Sequence, residues 1–302
     1  MENLIGALPG AAALGLIWGI MAIGLYITYK ILAISDLTVD GSICTGALVC
    51  ALLITKGVDP WIAMICAMVA GALCGLVTGF LHTVLGIPAI LSGILTQLAL
   101  WSVNLKLADG SSQIPVSWRN YDVILSSNNN NDAIITLVII AGAIIALLYW
   151  FFGTSFGCSL RATGCNLNMS RAQGINTELN KVIGLMISNS LVALAGAILA
   201  QYQGFYNINM GRGAIVIGLA AIVIGEARSA RNFAVRLLGV LVGGIIYYLV
   251  YQVIVFLGFD TDLLKMLSAV VVALFLGVPN LKDKLMTKIR IRKHAREVKK
   301  NA

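Results

Sequence analysis

Nine apolar stretches, at 10–34, 37–55, 61–81, 86–107, 133–152, 181–201, 214–226, 236–257 and 263–280, constrain this chain more than any other feature. Most reach the length of about 20 residues that crosses a hydrocarbon layer about 30 Å thick. Only 11% of the 302 residues are charged and 59% are hydrophobic, against about 25% charged in an ordinary soluble domain. Such a composition would leave a water-soluble globule with large uncovered apolar patches, so a soluble fold is excluded. In lipid each stretch can satisfy its backbone only as a helix. The expected fold is therefore all-α, a polytopic helical membrane protein of about 8–10 spans. Two stretches fit a full span poorly: 214–226 is short, and 37–55 opens with Thr38, Asp40 and Ser42. Both are expected to be broken or re-entrant helices lining a cavity, where irregular backbone is tolerated at membrane depth.

The net charge is +8, and the segment from Lys282 to Lys300, with nine basic and two acidic residues, carries +7 of it. Placing this tail (281–302) in the cytosol and alternating sides through nine spans puts sixteen Lys/Arg inside, among them Lys30, Arg161, Arg171, Arg228 and Arg231, and five outside. That is the positive-inside distribution, with the N-terminus external and the C-terminus cytoplasmic in the cell membrane. Trp61, Trp101 and Trp150 fall near span ends as an aromatic belt would, and Trp18 does not. Gly71, Gly75 and Gly79 in one span, and Gly239 and Gly243 in another, recur at four-residue intervals that let helices approach closely. Each of these spans follows a doubtful segment, in opposite orientation, which predicts an inverted repeat with halves at 10–107 and 181–280. The membrane domain is then 1–280.

Several chemistries are excluded. The chain has no HExxH or Walker-type GxxxxGK[ST] sequence and no paired carboxylates placed for acid–base work. CxxC is absent and no His lies near a Cys pair, so the six cysteines read as small buried hydrophobes, without disulfides or metal. The tail lacks interleaved aromatics; it reads as an anchor to anionic membrane lipid and not as a nucleic-acid site.

The most informative stretch is the inner segment 153–180, about 28 residues between two spans and long for a mere connector. It is expected to fold into short amphipathic helices on the cytosolic surface, with Gly157, Gly164 and Gly174 permitting turns between them. Its run G-x-x-L-R-A-x-G-x-N-x-x-x-x-x-A-x-G-I from Gly157 to Ile175 resembles the cytoplasmic loop of ABC importer permeases of the branched-chain amino acid and monosaccharide type. The stretches LTVDGSICTGA from Leu37, IPAILSG from Ile87 and LVALAGAILA from Leu191 resemble the same family. The wording from Leu37 to Gly41 is most similar to its branch associated with tryptophan, tyrosine or related amino acids.

The resemblance implies a subunit without its own cofactor: ATP is bound by a separate ATPase partner, an extracellular substrate-binding protein delivers the solute, and a second permease copy completes the pore. It implies that Gly157, Arg161, Ala162, Thr163, Gly164, Asn166, Arg171, Ala172 and Gly174 form the surface that docks on the ATPase. On charge alone, Arg161 and Arg171 read equally as topology determinants facing head groups. The external segment 108–132 with Asp109, Arg119 and Asp122, and the turn with Asp260 and Asp262, would receive the binding protein. Candidates for the translocation path are Asp40, Ser92, Gln97, Asn189 and Arg212. Asp40 reads either as lining the path and capping a half-helix or as an interfacial partner of Lys30. Ser92, Gln97, Asn189 and Gln201 can also hold helices together for about 0.6 kcal/mol each, and packing is expected for most. Arg212, between Gly211 and Gly213, would attract an amino-acid carboxylate or contact the binding protein. The rival class is an ion-gradient-driven secondary transporter, for which only Asp40 and Glu226 are available as intramembrane ligands.

Overall fold

A chain whose apolar segments are joined by short polar turns must stack those segments against one another, and small residues decide how closely. The computed structural model describes residues 2–117, 119–121, 123–125, 130–226, 232–256, 270 and 273. Ten α-helices occur among the described residues: α1 (Glu2–Tyr26), α2 (Val39–Thr55), α3 (Pro60–Thr83), α4 (Ala89–Leu107), α5 (Asn130–Gly153), α6 (Ser155–Cys165), α7 (Leu167–Ala172), α8 (Thr177–Gln203), α9 (Ala214–Glu226) and α10 (Phe233–Phe256). Six of them, α1 with its extension, α3, α4, α5, α8 and α10, are long and apolar enough to cross a membrane, and α2 and α9 are shorter. The span expected at 263–280 lies outside the described residues apart from Val270 and Ala273, as do Arg228, Arg231 and the basic tail. Residues Met1–Val253 form one compact unit, and the rest of the chain a second.

Local signals set the helix ends. Asp59 accepts the Trp61 N–H at 2.8 Å ahead of Pro60 in the first turn of α3. Asn176 caps α8 through the Leu179 N–H, and Gly204 ends it with φ +78°. The helix predicted over 10–34 instead begins at Glu2 and passes after Tyr26 into a π-helical turn, Ile27–Ile31. Residues 32–38 then run without helix, with Leu32, Ile34, Asp36 and Thr38 buried, before α2 starts. The two doubtful segments are thus short helices, one of them preceded by irregular backbone buried in protein.

Helix α8 is the hub. A Cβ on Gly71 or Gly75 of α3 would overlap the Asn189 or Leu185 carbonyl oxygen of α8, and one on Gly79 would lie 3.0 Å from Val182. Gly46 of α2 meets Ala193 in the same way, and Gly24 of α1 receives a hydrogen bond from Ser188 Oγ at 2.7 Å. Gly239 and Gly243 of α10 pack against Gly225 and Ala221 of α9. Both glycine series therefore serve close helix approach. The outward sides of α3 and α5 expose Val69, Leu73, Ile139 and Leu147, as a lipid-facing surface requires. Trp61, Trp101 and Trp150 are exposed, whereas Trp18 is buried and stacks on Tyr248 at 6.0 Å, which explains its distance from the belt.

One element has no counterpart in the sequence reading. β1 (Gln113–Pro115) pairs antiparallel with β2 (Phe205–Asn207), tying the segment after α4 to the end of α8.

Candidate functional site

Asp40 settles between its two readings through geometry. Its carboxylate accepts the Gly213 N–H on Oδ2 and the Ile215 N–H on Oδ1, each at 3.0 Å. The side chain of α2 thereby caps the N-terminus of α9, where the helix dipole favours a negative charge. Lys30 pairs instead with Glu226 at the far end of α9, at 2.5 Å. The loop before α9 fits because of its glycines: a Cβ on Gly211 would overlap the Asp40 carbonyl oxygen, and Gly213 holds φ +86°. Gly211 N–H also donates to Cys44 Sγ at 3.2 Å, and that thiol donates to the Ile208 carbonyl at 3.4 Å.

This join floors a cavity of about 210 Å³. Helix α2 supplies Asp40, Gly41 and Cys44; α4 supplies Gln97, Leu98, Trp101 and Asn104; the loop supplies Ile208 and Arg212. Gln97, Trp101 and Asn104 stand four and three residues apart, so one face of α4 presents all three. Asn104 Oδ1 accepts from Thr45 Oγ1 at 3.1 Å, which leaves its amide N–H groups to donate. Two residues before Ile208, Tyr206 is fully buried with no hydrogen-bond partner for its hydroxyl among the described residues, and burial pushes its phenol above the usual range.

Of the five path residues read from sequence, the cavity gathers Asp40, Gln97 and Arg212. Ser92 and Asn189 do not line it; both are fully buried, and Asn189 joins α8 to α2 and to the backbone ahead of it. Ser92 Oγ donates to the Ala89 carbonyl at 2.8 Å. Asn189 Oδ1 accepts from Ser42 Oγ at 2.6 Å, and its Nδ2 donates to Asp36 Oδ2 at 2.7 Å and to the Leu185 carbonyl at 3.0 Å. Gln201 likewise packs, accepting from the Ile124 N–H at 3.2 Å. Sequence reading missed Trp101 and Asn104 as cavity residues, although their spacing from Gln97 was the available signal. It also missed Asp36.

The inner segment 153–180 forms α6 and α7, as expected, but its residues divide into two sets. Gly157 and Gly164 are not turn residues. Both lie inside α6, where a Cβ would overlap the Phe151 carbonyl and the Ile31 carbonyl respectively. Only Gly174 takes a turn conformation, with φ +77°. Arg161 is turned inward: its guanidinium donates to the Phe152 carbonyl and lies 5.9 and 5.8 Å from the Phe152 and Phe233 rings. Thr163 is buried and accepts from Asn180 Nδ2 at 2.9 Å, Ala162 is half-buried, and Asn166 caps α7 through the Met169 N–H. The outward set is Asn166, Arg171, Ala172 and Gly174, with Leu167 (40% exposed) and Met169 (55%) beside them. Those two apolar residues were not singled out in the sequence; their signal is an N-L-N-M alternation in a polar loop. Arg171 Nη2 lies 3.5 Å from Glu178.

A sorting experiment follows. Arg161→Gln removes the donor to the Phe152 carbonyl and a cation over two rings, and is expected to lower thermal stability by about 1–3 kcal/mol. Arg171→Gln, which gives up an exposed ion pair with Glu178 and the bond from Arg171 Nε to Thr177 Oγ1 at 3.0 Å, is expected to cost less, about 0.5–1 kcal/mol. A Thermofluor or tryptophan-fluorescence melt of both variants checks this, and the reverse order would contradict the placement of the two side chains.

Outside the helices, Asp109 and Arg119 are exposed, Asp109 with φ +50°, while Asp122, Asp260 and Asp262 lie outside the described residues. Asn130 belongs to the first turn of α5, where its Oδ1 accepts from Tyr202 at 2.9 Å.

Comparison with known proteins gives consistent kinship. Residues 8–278 match a family described as branched-chain amino acid transport system, permease component. A tyrosine transport system permease protein of Clostridioides difficile (strain R20291) is 37% identical over 88% of this chain and 89% of its own length. An uncharacterized protein of Rickettsia prowazekii (strain Madrid E) is 32% identical over 87% of this chain and 93% of its own length. An autoinducer 2 import system permease protein of Escherichia coli (strain K12 / DH10B) is 26% identical over 63% of this chain and 55% of its own.

Proposed function

This chain belongs to the permease component family of branched-chain amino acid transport systems, and from that premise we propose that it is the membrane subunit of an importer for an aromatic amino acid, driven by a separate ATPase. It is a multi-pass membrane permease. The observation that carries the substrate reading is the 37% identity, across nearly the whole chain, to a relative described as a tyrosine transport permease. The active unit is two permease copies above two ATPase subunits, fed by an extracellular binding protein, with the C-terminus in the cytosol. The α6–α7 pair supports the coupling role: α6 is fastened to α8 and α5, while α7 presents Leu167, Met169 and Arg171 outward. Apolar side chains ringed by polar ones are what a docking partner covers.

ATP binding would close the ATPases, move α7, and pass that motion through α6 into the bundle, alternating access to the cavity. Purification of the tagged chain from its native membrane in mild detergent, with mass spectrometry of what accompanies it, is expected to return a P-loop ATPase in stoichiometric amount. Proteoliposomes of that complex with its binding protein are expected to take up L-tyrosine only with ATP inside the ATPase compartment. Uptake by the lone chain under a Na⁺ or H⁺ gradient would overturn the reading in favour of secondary transport.

A further inference from the structure

The cavity between α2, α4 and the loop ahead of α9 holds two opposite charges that leave each other alone. Among the described residues, neither Asp40 nor Arg212 makes an ion pair. The Arg212 side chain has no hydrogen-bond acceptor there either, and Gln97, which lines the same cavity, is likewise without a side-chain partner. Asp40 accepts the Gly213 N–H on one oxygen and the Ile215 N–H on the other, with the Ala214 N–H directed at it as well, and a carboxylate offers about four lone-pair sites, so it can still accept a further bond without releasing the helix. Trp101 adds a broad apolar surface, half-exposed, on the same wall. The volume, about 210 Å³, falls below the roughly 300–1,000 Å³ of sites for drug-sized ligands. It suits a single small solute.

We propose that this cavity is a substrate waypoint inside the permease that binds a free α-amino acid as its zwitterion: Arg212 takes the carboxylate, Asp40 the ammonium, and Trp101 flanks an aromatic or apolar side chain. A neutral sugar would leave both charges uncompensated, whereas a zwitterion answers each with its opposite. Bidentate guanidinium–carboxylate geometry favours Arg at that position over a point charge. Because Asp40 also caps α9, an ammonium on its free lone pairs ties ligand occupancy to the helix whose other end holds Lys30 through Glu226. The assignment rests on the amino-acid importer reading above, and adds to it where in this chain the solute stops.

The test uses the full chain with its ATPase in nanodiscs, without the binding protein, so that only the permease site is titrated. L-Tyrosine, tyramine, which lacks the carboxylate, and D-ribose are the probes. For the parent, binding of L-tyrosine in the micromolar to millimolar range, weaker tyramine and no ribose is expected. Arg212→Gln is expected to weaken L-tyrosine about tenfold or more while leaving tyramine unchanged, because only the first ligand carries the group that the guanidinium holds. Trp101→Leu is expected to weaken L-tyrosine more than L-alanine. Equal losses for tyrosine and tyramine on Arg212→Gln, no loss for either, or no binding of L-tyrosine to the parent would each overturn the waypoint. ATP-driven uptake by the complete system separates the two levels. Tyrosine import with both kcat and KM unchanged in Arg212→Gln removes the waypoint and keeps the importer, while import of ribose and no amino acid removes both.

Discussion

Gly164→Ala is expected to abolish ATP-driven uptake while the protein still inserts in the membrane. A Cβ there would overlap the Ile31 carbonyl oxygen and lie 2.9 Å from Leu32 Cα. Both are backbone atoms, so no side chain can swing aside. Either α6 lifts from the bundle or the π-helical turn Ile27–Ile31 rewinds, and that turn carries Lys30, the partner of Glu226. Overpacking of this kind costs about 1–3 kcal/mol, less than the whole stability of a domain, about 5–15 kcal/mol, which is why loss of coupling should precede loss of folding. Gly153→Ala is the control: no atom lies within 4 Å of its Cβ position, and uptake should be unchanged. Vesicle uptake and ATPase capture, measured for both variants, decide the matter. Normal uptake by Gly164→Ala would mean that α6 does not bear on the π-helical turn as described.

The spans were legible because the bilayer imposes a length on every apolar segment, and the two short helices were legible because they violate that length. Pairings across the chain were not. Asp40 is 10 residues from Lys30 but 173 from Gly213, and nothing in local sequence ranks the second partner above the first. Gly157 and Gly164 were misread for a related reason: glycine in a polar loop signals a turn, yet the same residue serves wherever two backbones touch, and only the fold distinguishes these uses. The β1–β2 ribbon has three residues per strand, too few for an alternation to register. Of the cavity, the charged members and Gln97 were found because charged and polar side chains are conspicuous in an apolar chain; Trp101 was masked by its plausible duty in an aromatic belt, and Asn104 was not singled out.

Asp36 is the residue that sequence reasoning passed over at greatest cost, and its replacement should have the second large effect. Beside Ser35 at the end of an apolar run it looks interfacial, yet it is 1% exposed. Its Oδ1 accepts the Thr38 N–H at 2.9 Å and its Oδ2 the Asn189 amide at 2.7 Å. Asn189 in turn accepts from Ser42 at 2.6 Å, while Thr38 reaches Thr78 at 2.7 Å and Thr78 reaches Thr96 at 3.0 Å. One carboxylate therefore fastens the irregular backbone before α2 to α8, and a continuous polar chain extends from it to α3 and α4. Asp36→Ala strands two buried donors, each costing about 1–3 kcal/mol, so a loss of about 2–6 kcal/mol and a sharp fall in membrane-inserted protein are expected. Asp36→Asn keeps the shape but turns an N–H₂ toward a donor. The double variant Asp36→Asn with Asn189→Asp exchanges the two groups, restores an acceptor facing a donor, and still offers Ser42 a carboxylate oxygen, while it gives up the bond that Asn189 Nδ2 donates to the Leu185 carbonyl. It should recover more stability than the sum of its single variants allows, a coupling of about 0.5–3 kcal/mol. Thermal melts of the four proteins in one detergent supply the cycle. Strict additivity would show that Asp36 and Asn189 do not share the load, and that the entry to α2 is held by packing alone.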